Sequence, residues 1–387
     1  MKKILFVNNN LETGGVQTSL INLLKEIHDT YDVSLLLFQY KEEYRKMLPE
    51  NVKILTVKSS FKHFGMTAAE ARKKPFAYVA RAFWVFLSKM IGRSFAIRLM
   101  SLTQKKVGEY DYAISYLHEA PQKNLYGGCN EFILRRVNAT KKIAWLHCDF
   151  GLCGANNKQS RRIYRKMDKI VACSEGSRQS FIRCMPEFAD KTNAIRNCND
   201  YDAIREKAGE GISYGAEAFH IVTVARLAAE KGIERALRAI HFCKTKGYRI
   251  KYHLVGSGPC EAALRAEVEM LGLTEDVIFY GNQKNPYPYI KNANLFLLPS
   301  YHEAAPMVFD EAACLGVPAL ATSTTSTEEM IVQSGNGIAA ENTQASLNEK
   351  LLFALEHPDI LDTIRQRLSI KEFHNRTQIL QLKALFQ

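Results

Sequence analysis

The chain is 387 residues long, 47% hydrophobic and 24% charged, with a formal net charge of +12. That length calls for two domains rather than one, and the composition is ordinary for a soluble globular protein. Nine cysteines lie scattered without paired metal-ligand spacing, and an apolar run begins at Lys3 with no room for a signal peptide. These features speak against a cysteine-bound metal and predict reduced thiols in the cytosol.

The first predicted strand, 3–8, leads into Gly14-Gly15, which open a helix directly after a strand and a loop. Backbone N–H groups and the helix dipole at such a start favour an anion. The dinucleotide fingerprint G-x-G-x-x-G is absent, which counts against a dehydrogenase. Strands are predicted next at 33–38 and 52–57. Between 58 and 106, eleven Lys or Arg stand against one acid, Glu70, and the same segment carries Phe76, Phe83, Trp84 and Phe86. Arg81, Lys89, Arg93 and Arg98 interrupt it, so no stretch stays apolar for the ~20 residues of a membrane span. A basic, aromatic-rich helical segment reads as membrane-surface-seeking or anion-binding; a packed helix pair with a solvated basic face is the competing reading.

Strands at 112–116, 142–147 and 169–173 complete the first series. Their short, unalternating apolar runs suit a parallel sheet covered on both faces. His147 stands at a strand end in Trp145-Leu-His-Cys-Asp149, and His118 follows the preceding strand. A lone histidine is more often structural than catalytic, and which of the two is functional stays open. Ser174-Glu175 reads as a helix cap. The polar stretch 197–218, with Gly209, Gly211 and Gly215, reads as a linker; Asp200-Tyr-Asp202 within it has no preceding apolar strand and reads as a chance D-x-D.

A second strand series follows at 221–225, 252–255, 277–280, 295–299 and 318–321, so each half reads as its own doubly wound βαβ domain. Arg226 ends the first of these strands, and Lys231-Gly232 precedes the next helix. Two cations five apart at a strand's C-terminal mouth suit a diphosphate. Gly256 and Gly258 sit at a strand-to-helix turn, where they let backbone approach a ligand closely. The 277–280 strand ends in the loop of Tyr280, Gly281 and Asn282. After the 295–299 strand, Glu303 lies in a short polar loop and Glu311 lies eight residues on, inside a helix that Pro306 suits at its start and Gly316 and Pro318 at its end. Carboxylates placed this way lie where open α/β sheets bind ligands.

The Glu303…Glu311 pair resembles the Glu-x7-Glu motif of retaining glycosyltransferases of family 4, which have the two-domain GT-B fold. Gly14-Gly15-Val, Arg226-Leu…Lys231-Gly232, Val255-Gly-Ser-Gly-Pro259 and the strand ending at Asn282 match the same family in order. Ala225 replaces its usual Gly, Asn197-Cys-Asn-Asp200 stands where Asn-Gly-Val-Asp is common, and the basic block has no counterpart. The resemblance implies two Rossmann-like domains facing across a cleft: an acceptor-side domain at 1–197, a nucleotide-sugar domain at 198–370, and a C-terminal helix at 371–387 that crosses back to the first domain. It implies catalytic roles for His147, Arg226, Lys231 and Glu303. Donor contacts fall on Gly14, Gly15, Gly256, Gly258, Tyr280, Asn282, Ala304, Ala305 and Glu311, the last on the nucleotide ribose.

The function expected is retaining transfer of a hexose from a nucleotide diphosphate sugar, with UDP as the carrier and no cofactor or metal. The acceptor expected is a glycan or lipid-linked glycan in capsule or exopolysaccharide assembly, with the enzyme peripheral on the inner face of the plasma membrane. A glycosidase also uses two carboxylates but leaves the paired cations idle. A sugar phosphorylase or epimerase on the same fold is a closer rival. A basic nucleic-acid-binding protein would explain the 58–106 block, but no binding motif supports it and nucleic acid is not an expected partner.

Overall fold

The structure, a computed structural model, describes residues 1–12, 14–57, 60–66, 68–121 and 123–387. Lys58, the first cation of the basic block, lies outside the described residues. The chain divides into two compact units, Met1–Cys198 with Asn375–Gln387, and Asn199–His374.

In the first unit the strands are β1 (Lys3–Asn8), β2 (Asp32–Leu37), β3 (Lys53–Thr56), β4 (Val107–Ser115), β5 (Val137–Leu146), β6 (Lys169–Ala172) and β7 (Thr192–Ala194). They pair in the order β3-β2-β1-β4-β5-β6-β7, every described pairing parallel. Ile4, Leu5, Phe6 and Val7 are all fully buried, since helices cover both faces of the central strand. The helix Gly15–Ile27 contributes Leu20, Leu24 and Ile27 to one of those layers. Each such side chain, fully buried, stabilises by roughly 1.5–3 kcal/mol. The C-terminal helix Arg376–Leu385 belongs to this unit: Leu382 and Phe386 join the same core, and the Phe386 ring lies 4.6 Å from that of Tyr112. The hydroxyl of Tyr112 (2.5 Å) and the ammonium of Lys2 both donate to the Phe386 carbonyl.

Several expectations change here. β4 and β5 begin five residues before their apolar runs, at Val107 and Val137, because backbone pairing such as Tyr110 with Ala139 continues where the side chains are polar. β7 is a three-residue edge too short to show a pattern. In the basic segment, helices span Pro75–Met90 and Arg93–Thr103, with shorter turns before them. Trp84, expected to be presented to a membrane, packs in part against the core beside Val85. Arg93 is buried and paired with Glu119, so it is no surface cation.

The second unit holds β8 (Phe219–Val224), β9 (Ile250–Val255), β10 (Val277–Gly281), β11 (Leu295–Leu298), β12 (Ala319–Thr322) and β13 (Gly337–Ala340), in the order β10-β9-β8-β11-β12-β13 and again parallel. β13 escaped notice because it is short and opens on Gly337. That glycine lies so close to β12 that a Cβ there would stand 2.0 Å from the Ala319 carbonyl oxygen. The stretch expected as a linker contains the helix Tyr201–Lys207, which buries Tyr201 and Ile204. Asp200 caps it by accepting the Ala203 N–H at 3.2 Å, and Asp202 pairs with Arg205 one turn on. Both acids of the D-x-D thus have local structural roles.

Candidate active site

In the second unit the strand order reverses between β8 and β11, and the crevice at the carboxyl ends of such a pair is where open α/β sheets bind ligands. The loops after these two strands carry Arg226 with Lys231 and Glu303 respectively. The Lys231 ammonium lies 2.6 Å from a Glu303 carboxylate oxygen, and the Ser300 hydroxyl donates to that same oxygen at 2.7 Å. Local backbone chemistry sets this pair up. Gly232 takes φ +61° and sits against the end of β11, where a Cβ would come 2.3 Å from the Pro299 carbonyl oxygen. Tyr301 N–H also donates to Glu230 O at 2.9 Å, tying the two loops together. Lys231 and Glu303 are both largely shielded, so the pair is stronger than an exposed one and holds each head group in place. Arg226 stands apart from it, 67% exposed and paired with Glu230 one turn on.

Gly256 and Gly258 admit a neighbour, and that neighbour is protein backbone. A Cβ on Gly256 would meet Ala225 O at 1.9 Å, and one on Gly258 would meet Leu227 O at 2.3 Å. Leu227 N–H donates to Ser257 O at 3.0 Å and Cys260 N–H to Leu227 O at 2.9 Å. The glycine turn therefore clamps the loop that presents Arg226.

Glu311 lies on the helix Met307–Cys314, only 8% exposed. Burial, with the neighbouring Asp310 charge second, pushes its carboxyl up to about 7. A carboxyl poised near neutrality and held off from water favours a ligand that donates hydrogen bonds to it. Ala304 and Ala305 are half-buried in the turn between Glu303 and this helix, and Asn282 is exposed just beyond β10.

Tyr280 belongs to a group that motif reading did not find. Its hydroxyl lies 3.0 Å from His253 Nδ1, His253 Nε2 lies 2.9 Å from His220 Nδ1, and His220 Nε2 lies 2.6 Å from the Gly215 carbonyl oxygen. The carbonyl can only accept, so His220 must donate through Nε2. His253 then donates to His220, and Tyr280 donates to His253. The relay has one direction, and burial lowers His253 to about 4. Tyr214 stacks on both imidazoles, and Tyr289 packs edge-on against Tyr280 at 4.5 Å. The only clue in the sequence was two histidines on apolar strands.

In the first unit the order reverses between β1 and β4. Gly14 and Gly15 follow β1 and start the helix Gly15–Ile27, which no side chain caps. His118 follows β4 and His147 follows β5. His118 Nδ1 and His147 Nε2 are both buried and lack a hydrogen-bond partner. Burial, then Arg93, lowers His118 to about 4; burial, then His118, lowers His147 to about 3. Both rings are neutral at neutral pH. The His147 ring packs 4.5 Å from that of Tyr116, the residue after β4. His118 thus follows the strand at the reversal, while His147 follows the strand one place out from it.

Comparison with known proteins agrees with this arrangement. Residues 213–371 match the family described as Glycosyl transferases group 1. The putative colanic acid biosynthesis glycosyltransferase WcaL of Escherichia coli K12 is 29% identical over 42% of this chain and 43% of its own length. The putative glycosyltransferase EpsF of Bacillus subtilis is 31% identical over 40% of this chain and 38% of its own. The similarity thus spans about two fifths of these curated relatives. Over the whole chain, the crystal structure of Anabaena Alr3699/HepE in complex with UDP superposes with a TM-score of 0.67 at 19% identity, covering 99% of each chain. The chain thus matches the glycosyl transferases group 1 family over residues 213–371 and has the GT-B fold.

Proposed function

We propose that this protein is a retaining glycosyltransferase that moves a hexose from a UDP-linked donor to a glycan or lipid-linked glycan during capsular or exopolysaccharide assembly. The observation that carries the reading is the Lys231–Glu303 pair at the β8/β11 reversal, with the buried Glu311 on the helix that follows. Lys231, with Arg226 on the same loop, is suited to neutralise the charge that grows on a departing diphosphate, an electrostatic role set in advance by the fold. Glu303 contacts the donor sugar and Glu311 the ribose hydroxyls. The acceptor attacks on the face the diphosphate leaves, so no carboxylate acts as a covalent nucleophile and no metal is required. A neutral His118 or His147 holds a sugar hydroxyl.

Support for UDP comes from Anabaena Alr3699/HepE, crystallised with UDP and with UDP-glucose. Support for the pathway class comes from relatives named for colanic acid, capsular polysaccharide and amylovoran biosynthesis. A lipid-linked acceptor is supported by a Campylobacter jejuni relative whose name specifies a diphospho-undecaprenol substrate. Among the described residues no helix is long and apolar enough to cross a membrane. Attachment through the basic face at 62–106 would make the enzyme peripheral on the inner leaflet.

The test is a donor screen by released nucleotide, without acceptor and then with lipid extract. Nucleotide release from a UDP-hexose that depends on the extract, survives chelation of divalent metals and disappears in Glu303→Gln is the expected result. Near-normal turnover in that variant would remove Glu303 from the reaction.

A further inference from the structure

The first unit has a cavity of about 520 Å³ at the start of the helix Pro75–Met90. Lys62, His63, Lys73, Lys74, Pro75 and Phe76 are among its lining residues. Three features of this wall point to an anion. Lys62, Lys73 and Lys74 make no ion pair among the described residues; the nearby acid Glu70 is turned to Lys41 at 2.7 Å. The helix that opens here has Pro at its first position and no side-chain cap, so the first-turn N–H groups lack an intrahelical partner. His63 is only 4% exposed, and its Nδ1 is buried without a hydrogen-bond partner. A buried imidazole nitrogen left unsatisfied beside lysines is costly unless a ligand meets it.

The surroundings indicate what brings the anion. The helix beginning at this cavity exposes Phe76 (93%), Val79, Phe83, Phe86 and Met90. So many large apolar side chains on one exposed helix, with lysines at its start, suit a headgroup layer more than water. The turn Lys62–Gly65 is also anchored to the loop after β1: Asn9 Nδ2 donates to Phe64 O at 3.3 Å and Asn10 Nδ2 to Gly65 O at 2.7 Å. The cavity wall is thereby fixed to the end of a central strand.

We propose that this cavity binds the phosphate of a lipid headgroup while the exposed face of the helix Pro75–Met90 rests in the same leaflet. His63 donates through Nδ1 to a phosphate oxygen, the lysines neutralise its charge, and the first-turn N–H groups of the helix complete the cradle. The proposal rests on the membrane-surface part of the function proposed above and adds to it a headgroup site with its own recognition chemistry.

The experiment is co-sedimentation of the full chain with vesicles of a neutral, phosphate-free galactolipid carrying equal negative charge as phosphatidic acid or as a sulfolipid. Wild type should prefer the phosphate lipid by roughly tenfold, the scale of one charge-assisted hydrogen bond. His63→Leu alters no charge at neutral pH and should erase the preference while keeping the charge-driven binding common to both vesicles. His63→Gln, which retains a donor, should restore part of the preference. His63 titration by NMR gives an independent reading. Burial, then Lys62 and Arg81, holds the imidazole below its usual value, Lys73 and Lys74 line the same cavity, and a bound phosphate must push His63 up. Equal binding of wild type to both vesicles, or a preference unchanged in His63→Leu, would overturn the site. Inorganic phosphate abolishing the preference, and raising the His63 pKa as far without vesicles as phosphatidic acid does, would reassign the cavity to free phosphate. UDP affinity is measured on every variant. A wild-type protein that binds UDP but shows no headgroup preference sinks this site alone, whereas one that recognises the headgroup but never binds UDP sinks the transferase reading alone.

Discussion

Glu311→Gln should stabilise the protein and weaken its grip on nucleotide at the same time. Burial lifts the Glu311 carboxyl from its usual 4.5 to about 7, so the folded state holds this proton more tightly than the unfolded chain does. Stability from such a group is fully present below about pH 4.5 and is lost as pH rises through about 7. At ~1.4 kcal/mol per pH decade, ionising the buried carboxyl costs the fold up to about 3 kcal/mol by pH 8. With Glu311 only 8% exposed, solvent screening removes little of that. Glutamine cannot ionise, so the variant should match wild type near pH 4 and exceed it increasingly toward pH 8. Hydrogen exchange of the helix Met307–Cys314, compared between the two proteins at each pH, reads the local free energy directly. Ribose hydroxyls donating to the carboxylate favour its ionised form, so uridine should bind wild type more tightly as pH rises from about 6 to about 8. The variant should bind more weakly and show no such slope. A stability difference that does not grow with pH would refute the assigned burial cost, and an unchanged uridine affinity would refute the ribose role.

Lys231→Ala should cost UDP affinity on the order of 1.5–3 kcal/mol and Arg226→Ala the lower end of that range, because Arg226 is well exposed and already shared with Glu230. Calorimetry with uridine as the phosphate-free control should show little change; an equal loss there would mean that the cations do not read the diphosphate. Lys89→Glu/Arg98→Glu should weaken attachment to any anionic vesicle at about 1 kcal/mol per reversed charge or more, with binding falling steeply as salt rises. If both proteins remain in the supernatant at low salt, the basic face is merely solvated. His253→Phe should free the Tyr280 hydroxyl and leave His220 Nδ1 without its donor, raising KM for the nucleotide sugar while kcat changes little. Nitrogen shifts of wild type should report protonated Nε2 on both histidines, and any other tautomer would break the relay as described.

Much of the fold was legible because its carriers are local. A parallel strand buried on both faces must be apolar throughout, so Ile4–Val7 and Leu295–Leu298 announce themselves, and the loops that follow them inherit positions at the C-terminal sheet edge. The order of strands and glycine-bearing loops was likewise enough to indicate two Rossmann-like halves and to put Arg226, Lys231, Glu303 and Glu311 on the loops and helix of one of them. Tertiary contacts decided the rest. The polar starts of β4 and β5 are strand because each supplies the other's backbone hydrogen bonds, which no side-chain pattern records. Arg93 reads as one more surface cation until Glu119 is brought to it, and Trp84 reads as a membrane anchor until the core claims part of its ring. Gly256 and Gly258 owe their small size to the 225–227 backbone pressed against them, and Lys231 finds Glu303 only because β8 and β11 are neighbours in the sheet. Local pattern sets which residues can be strand, helix or turn; which charges meet, which are buried and which are left facing water depends on partners distant in sequence, and only the folded chain brings them together.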